Sequence, residues 1–214
     1  CKALSSRLPA SYSFRSSVKR ISCAKLEDMA QPSVHSIQRG QVLLAHPLLE
    51  DENFQRGVVL LADHDSHGSL GFVLNDPAIY RLGEALSGKW PDFPLHIGGP
   101  VDQDSLFFLH CRPDIIPGSH SIDGFLHWGG EYEAMREALL AGKLGTGHIR
   151  FFAGYAGWSA QQLDGEVEEG SWAVIPGNIV NCLGSEADLY QSLRGHLPPD
   201  FKFWSNAPRN PASN

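Results

Sequence analysis

The sequence predicts a single α+β domain. Six short apolar runs have the length of β-strands, and four stretches have the composition and spacing of helices. The strands come in runs rather than in strict alternation with helices, which favours α+β over a doubly wound parallel sheet. A chain of 214 residues is long enough for one core that folds independently.

The predicted elements are separated by glycine, proline and short polar residues, which mark turns. Gly142 follows the second predicted helix, where it suits the position just past a helix end. We expect helices over Ile79–Leu86, Glu131–Ala141, Ala160–Glu169 and Glu186–Leu193. The strands are expected over Gln41–His46, Val58–Ala62, Leu70–Leu74, Ser105–Cys111, His148–Ala153 and Ser171–Ile175.

The chain divides into three parts by composition. Residues 1–26 hold six basic residues, seven serines and no acid, a bias typical of an organellar transit peptide. We therefore expect a leader over residues 1–36 that directs the protein to a plastid, with a mitochondrial or cytosolic location as the alternative. Residues 37–197 form the expected domain. Residues 198–214 are rich in Pro and Asn, and we expect a C-terminal tail that frays or wraps the surface.

Charge and hydropathy argue against two classes of partner. Residues 27–214 carry eleven basic and 24 acidic residues, a formal charge of −13. Such a body repels phosphate backbones, so nucleic acid is an unexpected partner. No window approaches 18 consecutive apolar residues, so we expect no membrane span.

The densest combination of glycine, aromatic and amide residues lies between Gly154 and Trp172. Its glycines predict a tight turn, followed by a helix with Ser159 as its N-cap. Two more turns are predicted, one at an Asn after a strand and one at a Gly-Gly pair before Pro100. All three can be structural, with Trp158 as a core anchor, or they can converge on a binding pocket. The candidate pocket residues are Asn75, Gly98, Gly99, Tyr155, Trp158 and Gln162.

Patterns that would support catalysis or metal binding are weak. His64 and His67 lie near two aspartates, but in a segment that reads as a turn between strands. Ser159 lacks the Gly-x-Ser-x-Gly setting of a nucleophile elbow, and the chain has no P-loop. Cys111 and Cys182 lack zinc-finger spacing, and we expect both to be buried as small apolar residues. The alternative for Cys111 is a redox role, because its cationic neighbours His110 and Arg112 can lower a thiol pKa. We predict no catalytic residue, no metal and no cofactor.

Five segments in order resemble the AlgH/YqgE family, over about Gly40 to Ile175. They are Phe54–His64, Gly71–Pro77, Ile97–Val101, Leu106–His110, and Gly154–Trp158 with Gln162-Leu163 and Gly170-Ser171-Trp172. The resemblance implies one α+β domain with coiled, bifurcated mixed β-sheets and flanking helices. It also implies relatives in bacteria and in plastid-bearing eukaryotes, and the leader resembles that of a plastid member. The family carries an old label of transcriptional regulator and has no established enzyme activity or ligand.

Two positions depart from the family pattern. Asp76 stands where the family usually has a basic residue, which weakens the idea of an anion site. Ser159-Ala160 replaces the usual small residue and proline. We expect a noncatalytic binding or regulatory domain whose protein or small-molecule partner is unknown. The alternative is a small-molecule-binding protein or enzyme that uses the candidate pocket, and direct DNA binding is disfavoured by the acidic body.

Overall fold

The computed structural model describes residues 37–78, 80–184 and 188–206. The expected leader, residues 1–36, lies outside the described residues. The described part contains four α-helices: α1 (Leu82–Ala85), α2 (Tyr132–Leu140), α3 (Gln162–Glu168) and α4 (Leu189–Leu193). Its ten strands are β1 (Val42–Ala45), β2 (Val58–Asp65), β3 (Gly68–Val73), β4 (Tyr80–Arg81), β5 (Pro94–Ile97), β6 (Val101–His110), β7 (His120–Ser121), β8 (His127–Trp128), β9 (Ile149–Ser159) and β10 (Trp172–Ile175).

The α+β prediction is confirmed, and each of the six predicted strands is present. Four strands were missed, because β4, β7 and β8 have two residues each and β5 begins at a proline. The first predicted helix is reduced to the four residues of α1. The predicted turn at Gly154–Trp158 is wrong, because β9 continues through it to Ser159.

Strand β9 is the branch point of the sheet. One of its edges pairs antiparallel with β6. The other edge pairs first with β5, in parallel over residues 151–153, and then with β3, antiparallel over residues 156–159. The main path runs β10-β1-β2-β3-β9-β6-β8-β7, and β4 and β5 form the second branch. The expected bifurcated, mixed sheet is therefore the observed one.

The side-chain alternation of β9 shifts by one residue at the branch. Phe152 and Tyr155 are three residues apart yet belong to the same buried cluster, which regular strand alternation would not allow. Gly154 lies between them with a left-handed φ of 73°. This conformation turns Tyr155 to the face occupied by Phe152. The pairing of β9 with β6 is irregular at the same place, between Val101 and Leu106 of β6.

Three apolar clusters cover the two faces of the sheet. The large cluster contains Leu44 and Phe72, and α4 and the turns after it pack on it. On the other face, the α2 cluster contains Met135 and Phe151, and the α3 cluster contains Leu163 and Trp158. Phe201 and Trp204 are buried in the large cluster, so the beginning of the expected tail belongs to the core.

Candidate functional site

The glycine-aromatic-amide segment is organised around one carboxylate. Oε2 of Glu166 accepts hydrogen bonds from the indole N–H groups of Trp158 and Trp172, each at 2.9 Å. Its Oε1 accepts a third bond, from the side-chain amide of Gln162 at 2.9 Å. The two indole rings pack edge to face, and Phe54 contacts both. This Glu166 network ties α3 to β9 and β10.

Gln162 also shapes the chain between β9 and α3. Its side-chain oxygen accepts hydrogen bonds from the backbone N–H and the hydroxyl of Ser159, each at 3.0 Å. The residue that precedes the helix is Gln161, in a left-handed conformation and without a side-chain cap bond. The prediction of Ser159 as the N-cap is therefore wrong. The amide of Gln162 is engaged on both of its polar atoms.

Asn75 holds two backbone groups of another loop. Its Oδ1 accepts a bond from the backbone N–H of Val58 at 2.8 Å, and its Nδ2 donates to the carbonyl of Arg56 at 2.9 Å. This paired bonding fixes the entry to β2 against the end of β3. These two hydrogen bonds explain why an Asn occupies position 75, and no ligand is needed to account for it.

Gly98 and Gly99 allow three backbones to meet at the branch. A Cβ added to Gly98 would lie 2.2 Å from the carbonyl oxygen of Gly154, and one added to Gly99 would lie 2.3 Å from the carbonyl carbon of Tyr155. The carbonyl of Gly98 accepts a bond from Val73, at the end of β3. These glycines are required by close packing of the chain on itself.

The six candidate pocket residues fall into two groups. Gly98, Gly99 and Tyr155 lie together at the branch. Asn75 lies two residues after Val73, the last residue of β3, whose backbone N–H donates to the carbonyl of Gly98. Trp158 lies in the α3 cluster, and Gln162 in the Glu166 network beside it. Tyr155 lies in the large cluster, so Tyr155 and Trp158 face opposite sides of the sheet.

A buried arginine at the branch escaped the sequence prediction. Arg150 is 5% exposed. It donates to the carbonyls of Leu74 and Gly184 at 2.7 and 2.6 Å, and its guanidinium lies 5.4 Å from the ring centre of Phe152. Burial lowers its pKa to about 10. The sequence signal for it is a single Arg inside the apolar run Ile-Arg-Phe-Phe-Ala of β9, which indicates a cation within a buried strand.

The Arg150 group includes a histidine and one unsatisfied donor. Nδ1 of His96 lies 3.1 Å from the carbonyl oxygen of Asp76 and 3.3 Å from Nη2 of Arg150. Burial lowers the pKa of His96, and the nearby Arg150 charge lowers it further. Nε of Arg150 is buried without a hydrogen-bond partner among the described residues, which costs about 1–3 kcal/mol for such a group. Burial also raises the pKa of Asp76.

His110 is a fully buried neutral histidine. Its Nε2 lies 3.1 Å from the carbonyl oxygen of Gly129, and its Nδ1 accepts the backbone N–H of Arg112 at 3.2 Å. A carbonyl can only accept, so the ring proton is on Nε2. Burial lowers the pKa of His110 to about 4. The expected burial is confirmed for Cys182 but is wrong for Cys111, which is only partly buried. Burial raises the pKa of Cys182 to about 12, so its thiol is not an activated nucleophile.

We expect His110 to make the fold sensitive to mild acid. Its pKa is lower in the folded state than the unfolded value of about 6.5, so the unfolded chain binds the proton first as the pH falls. The neutral ring should therefore make its full contribution to the free energy of unfolding above pH ~6.5. That contribution, about 3 kcal/mol, should be lost as the pH falls from ~6.5 to ~4. Urea denaturation at several pH values measures this loss. His110→Gln should flatten the dependence in that window, and an unchanged slope would contradict the assignment.

Metal-ligating side chains do not gather in the described residues. Residues 37–78, 80–184 and 188–206 contain no group of three or more His, Cys, Asp or Glu suited to a metal ion. At the turn between β2 and β3, Nδ1 of His64 contacts the hydroxyl of Ser69 at 2.8 Å, and His67 pairs with Asp65 at 3.4 Å. Within the same residues, no helix has the length and apolar character to cross a bilayer.

Comparison with known proteins identifies the family. The family described as AlgH-like matches residues 42–202. The UPF0301 protein of Chlorobium luteolum is 48% identical over 177 residues, covering 82% of this chain and 94% of that protein. The UPF0301 protein of Parabacteroides distasonis is 37% identical over 180 residues, covering 82% and 91%.

Two solved structures share the fold. The AlgH protein from Pseudomonas aeruginosa, solved in solution, has a TM-score of 0.57 and 27% identity, covering 82% of this chain and 89% of that one. A crystal structure of a protein from Corynebacterium diphtheriae has a TM-score of 0.64 at 22% identity, covering 81% and 94%. The predicted resemblance is confirmed: this chain belongs to the AlgH-like family, whose function is uncharacterised.

Proposed function

We propose that this chain is a noncatalytic binding or regulatory domain that acts by contacting another protein. The observation that carries the proposal is the Glu166 network. Its carboxylate accepts three hydrogen bonds from side chains of its own domain, so the residues that most resemble a site are occupied in holding the fold. The bonds of Asn75 and His110 support the same interpretation.

Native mass spectrometry of the protein purified from its own compartment tests this proposal. We expect a complex with a second protein chain and no small molecule retained at one per chain. A stoichiometric small-molecule adduct on an otherwise free chain would contradict it.

A second candidate is a small-molecule-binding protein or enzyme that uses the branch region near Asn75, Gly98 and Gly99. Nε of Arg150 favours it: this buried donor meets no acceptor within the described part of the chain, which is one mark of a site that receives a polar ligand. His96 adds a titratable ring beside that donor. The small-molecule adduct in the same mass spectrum would support this second function.

Direct DNA binding remains disfavoured by charge. A fragment that begins near Gln31 carries eleven basic and 22 acidic residues, a formal charge of −11. It should show no salt-dependent DNA binding at physiological ionic strength, because it can neutralise few phosphates. Fluorescence anisotropy with a labelled duplex measures this. Micromolar binding that weakens steeply with added salt would refute the expectation.

We also propose a plastid location, with a mitochondrial one as the alternative. The support is the basic, serine-rich and acid-free composition of residues 1–26. Residues 1–36 fused to a fluorescent reporter should send it to the organelle. Diffuse cytosolic fluorescence would remove the proposal.

A further inference from the structure

The outward side of α2 combines the three residue types that most often dominate protein interfaces. Tyr132 and Arg136 lie one turn apart on α2, and Trp90, from the loop after α1, packs beside them. The Trp90 and Tyr132 rings meet edge to face with centres 6.0 Å apart, and the guanidinium of Arg136 lies 5.5 Å from the centre of the Trp90 ring. All three residues are partly exposed. Trp, Tyr and Arg are enriched at the positions that contribute most to binding.

Arg136 offers hydrogen-bond donors that its own domain does not use. Its guanidinium is stacked on Trp90, and it forms no ion pair with a carboxylate in the described part of the chain. By contrast, Arg81 pairs with Asp92 at 2.6 Å. A guanidinium presents five N–H donors in a planar fork that fits a carboxylate. Arg136 is therefore a carboxylate-binding group on an aromatic support.

The same helix carries the complementary charge. Glu133 and Glu137 are exposed and lie before and after Arg136 on α2, and neither forms an ion pair with another described residue. When a second α2 lies antiparallel to the first, with the two-fold axis level with residues 134 and 135, Arg136 of each copy is at the height of Glu133 of the other. Tyr132 is then level with Glu137. Two-fold symmetry therefore supplies an acid to both arginines.

The local charge permits a second copy to approach this side of the domain. Residues 27–214 carry a formal charge of −13, and two such bodies repel each other. From Glu131 to Lys143, together with Lys89 beside Trp90, three acidic and three basic residues balance. Leu140, in the last turn of α2, adds an apolar side chain that is 44% exposed. The neutral, partly apolar outward side of α2 is therefore suited to self-association.

We propose that a second copy of this chain binds here, and that the two copies form a two-fold symmetric dimer through Trp90, Tyr132, Glu133 and Arg136. The inference rests on the proposed function and names one protein that the domain contacts. Trp90 and Tyr132 supply apolar contact, and Arg136 of each copy pairs with Glu133 of the other. Helix α2 has nine residues and is about 14 Å long, so the contact is smaller than the roughly 800 Å² per partner of a standard interface. The dimer is therefore weak and exchanges rapidly.

Sedimentation equilibrium of the full-length chain measures the self-association. We expect the mean mass to rise from one chain at ~1 µM toward two chains at ~500 µM, as a small interface predicts. Arg136→Glu and Glu133→Arg each place like charges together twice per dimer, so each should weaken self-association at least ~10-fold. Circular dichroism establishes that both variants are folded. Arg39→Glu, at an exposed position near the start of β1, is the matched control and should leave self-association unchanged.

A mixture of the two charge-reversal variants makes the test independent of folding. In a mixed dimer the reversed charges restore both pairs, so equal amounts of Arg136→Glu and Glu133→Arg should associate within ~3-fold of the wild-type strength. A wild-type chain that stays monomeric at ~500 µM, or a mixture no stronger than either variant alone, would overturn the proposal. A monomeric chain that still carries a different protein in native mass spectrometry would overturn the dimer and leave the proposed function standing.

Discussion

Trp158→Ala should lower the free energy of unfolding by about 4 kcal/mol. The side chain is 6% exposed and packs with Phe54 and Trp172 in the α3 cluster, so truncation leaves a cavity between β9 and α3. It also leaves the Glu166 network without one of its two indole donors. Chemical denaturation followed by circular dichroism measures the loss.

Two milder variants separate the packing from the hydrogen bond. Trp158→Phe keeps most of the ring contact and loses the bond to Glu166, so we expect a loss of about 1–2 kcal/mol. Gln162→Ala should cost about 1 kcal/mol, because it removes bonds at a partly exposed position. A Trp158→Ala protein of wild-type stability would show that this residue is not a core anchor.

Gly98→Ala should destabilise the fold by about 4 kcal/mol or prevent folding. The new methyl group would lie 2.2 Å from the carbonyl oxygen of Gly154 and 3.0 Å from Cβ of Phe152. The first neighbour is backbone, so relief of the clash requires β5 to move away from β9. Loss of that contact would open the sheet where its two branches separate.

Gly165→Ala is the matched control. Gly165 lies inside α3, and a Cβ there would meet no atom of the described residues within 4 Å. The same substitution should therefore stabilise the protein by about 0.5–1 kcal/mol through helix propensity. Equal effects of the two substitutions in denaturation experiments would contradict the close-approach explanation.

The fold could be predicted from the sequence where the signal was local. The apolar runs of β1, β2, β3 and β10 correspond closely to observed strands, because buried strands leave a continuous apolar pattern. Strand β9 shows where local signals fail. Its glycines predict a turn, but Gly154 takes a left-handed conformation within a strand that pairs with three others.

The candidate site was predictable only in part. The Gly-Gly pair predicts a turn at Gly98 and Gly99, but the structural reason for these glycines is the close approach of a distant strand, which composition does not encode. The same holds for Glu166, because its partners Trp158 and Trp172 meet it only after α3 folds back between β9 and β10. The role of Arg150 could not be predicted, because it depends on the carbonyls of Leu74 and Gly184, which come from distant parts of the chain.

These contacts change the interpretation of the family's characteristic residues. The two tryptophans and the Gln162 amide of the glycine-aromatic-amide segment all donate hydrogen bonds to Glu166. Asn75 binds backbone groups of the loop before β2. We therefore infer that partner binding uses surfaces outside this segment, which the segment supports structurally. This separation of a structural segment from a binding surface is the central claim.

Partner capture by a Gln162→Met variant tests that claim most directly. The substitution removes the amide but keeps a flexible side chain of similar size, and circular dichroism and urea denaturation would first establish that the variant is folded. Native mass spectrometry should then show the same partner complex as the wild-type chain, because the amide serves the Glu166 network rather than a partner. A folded Gln162→Met protein that has lost its complex would contradict the claim and place Gln162 in a binding site.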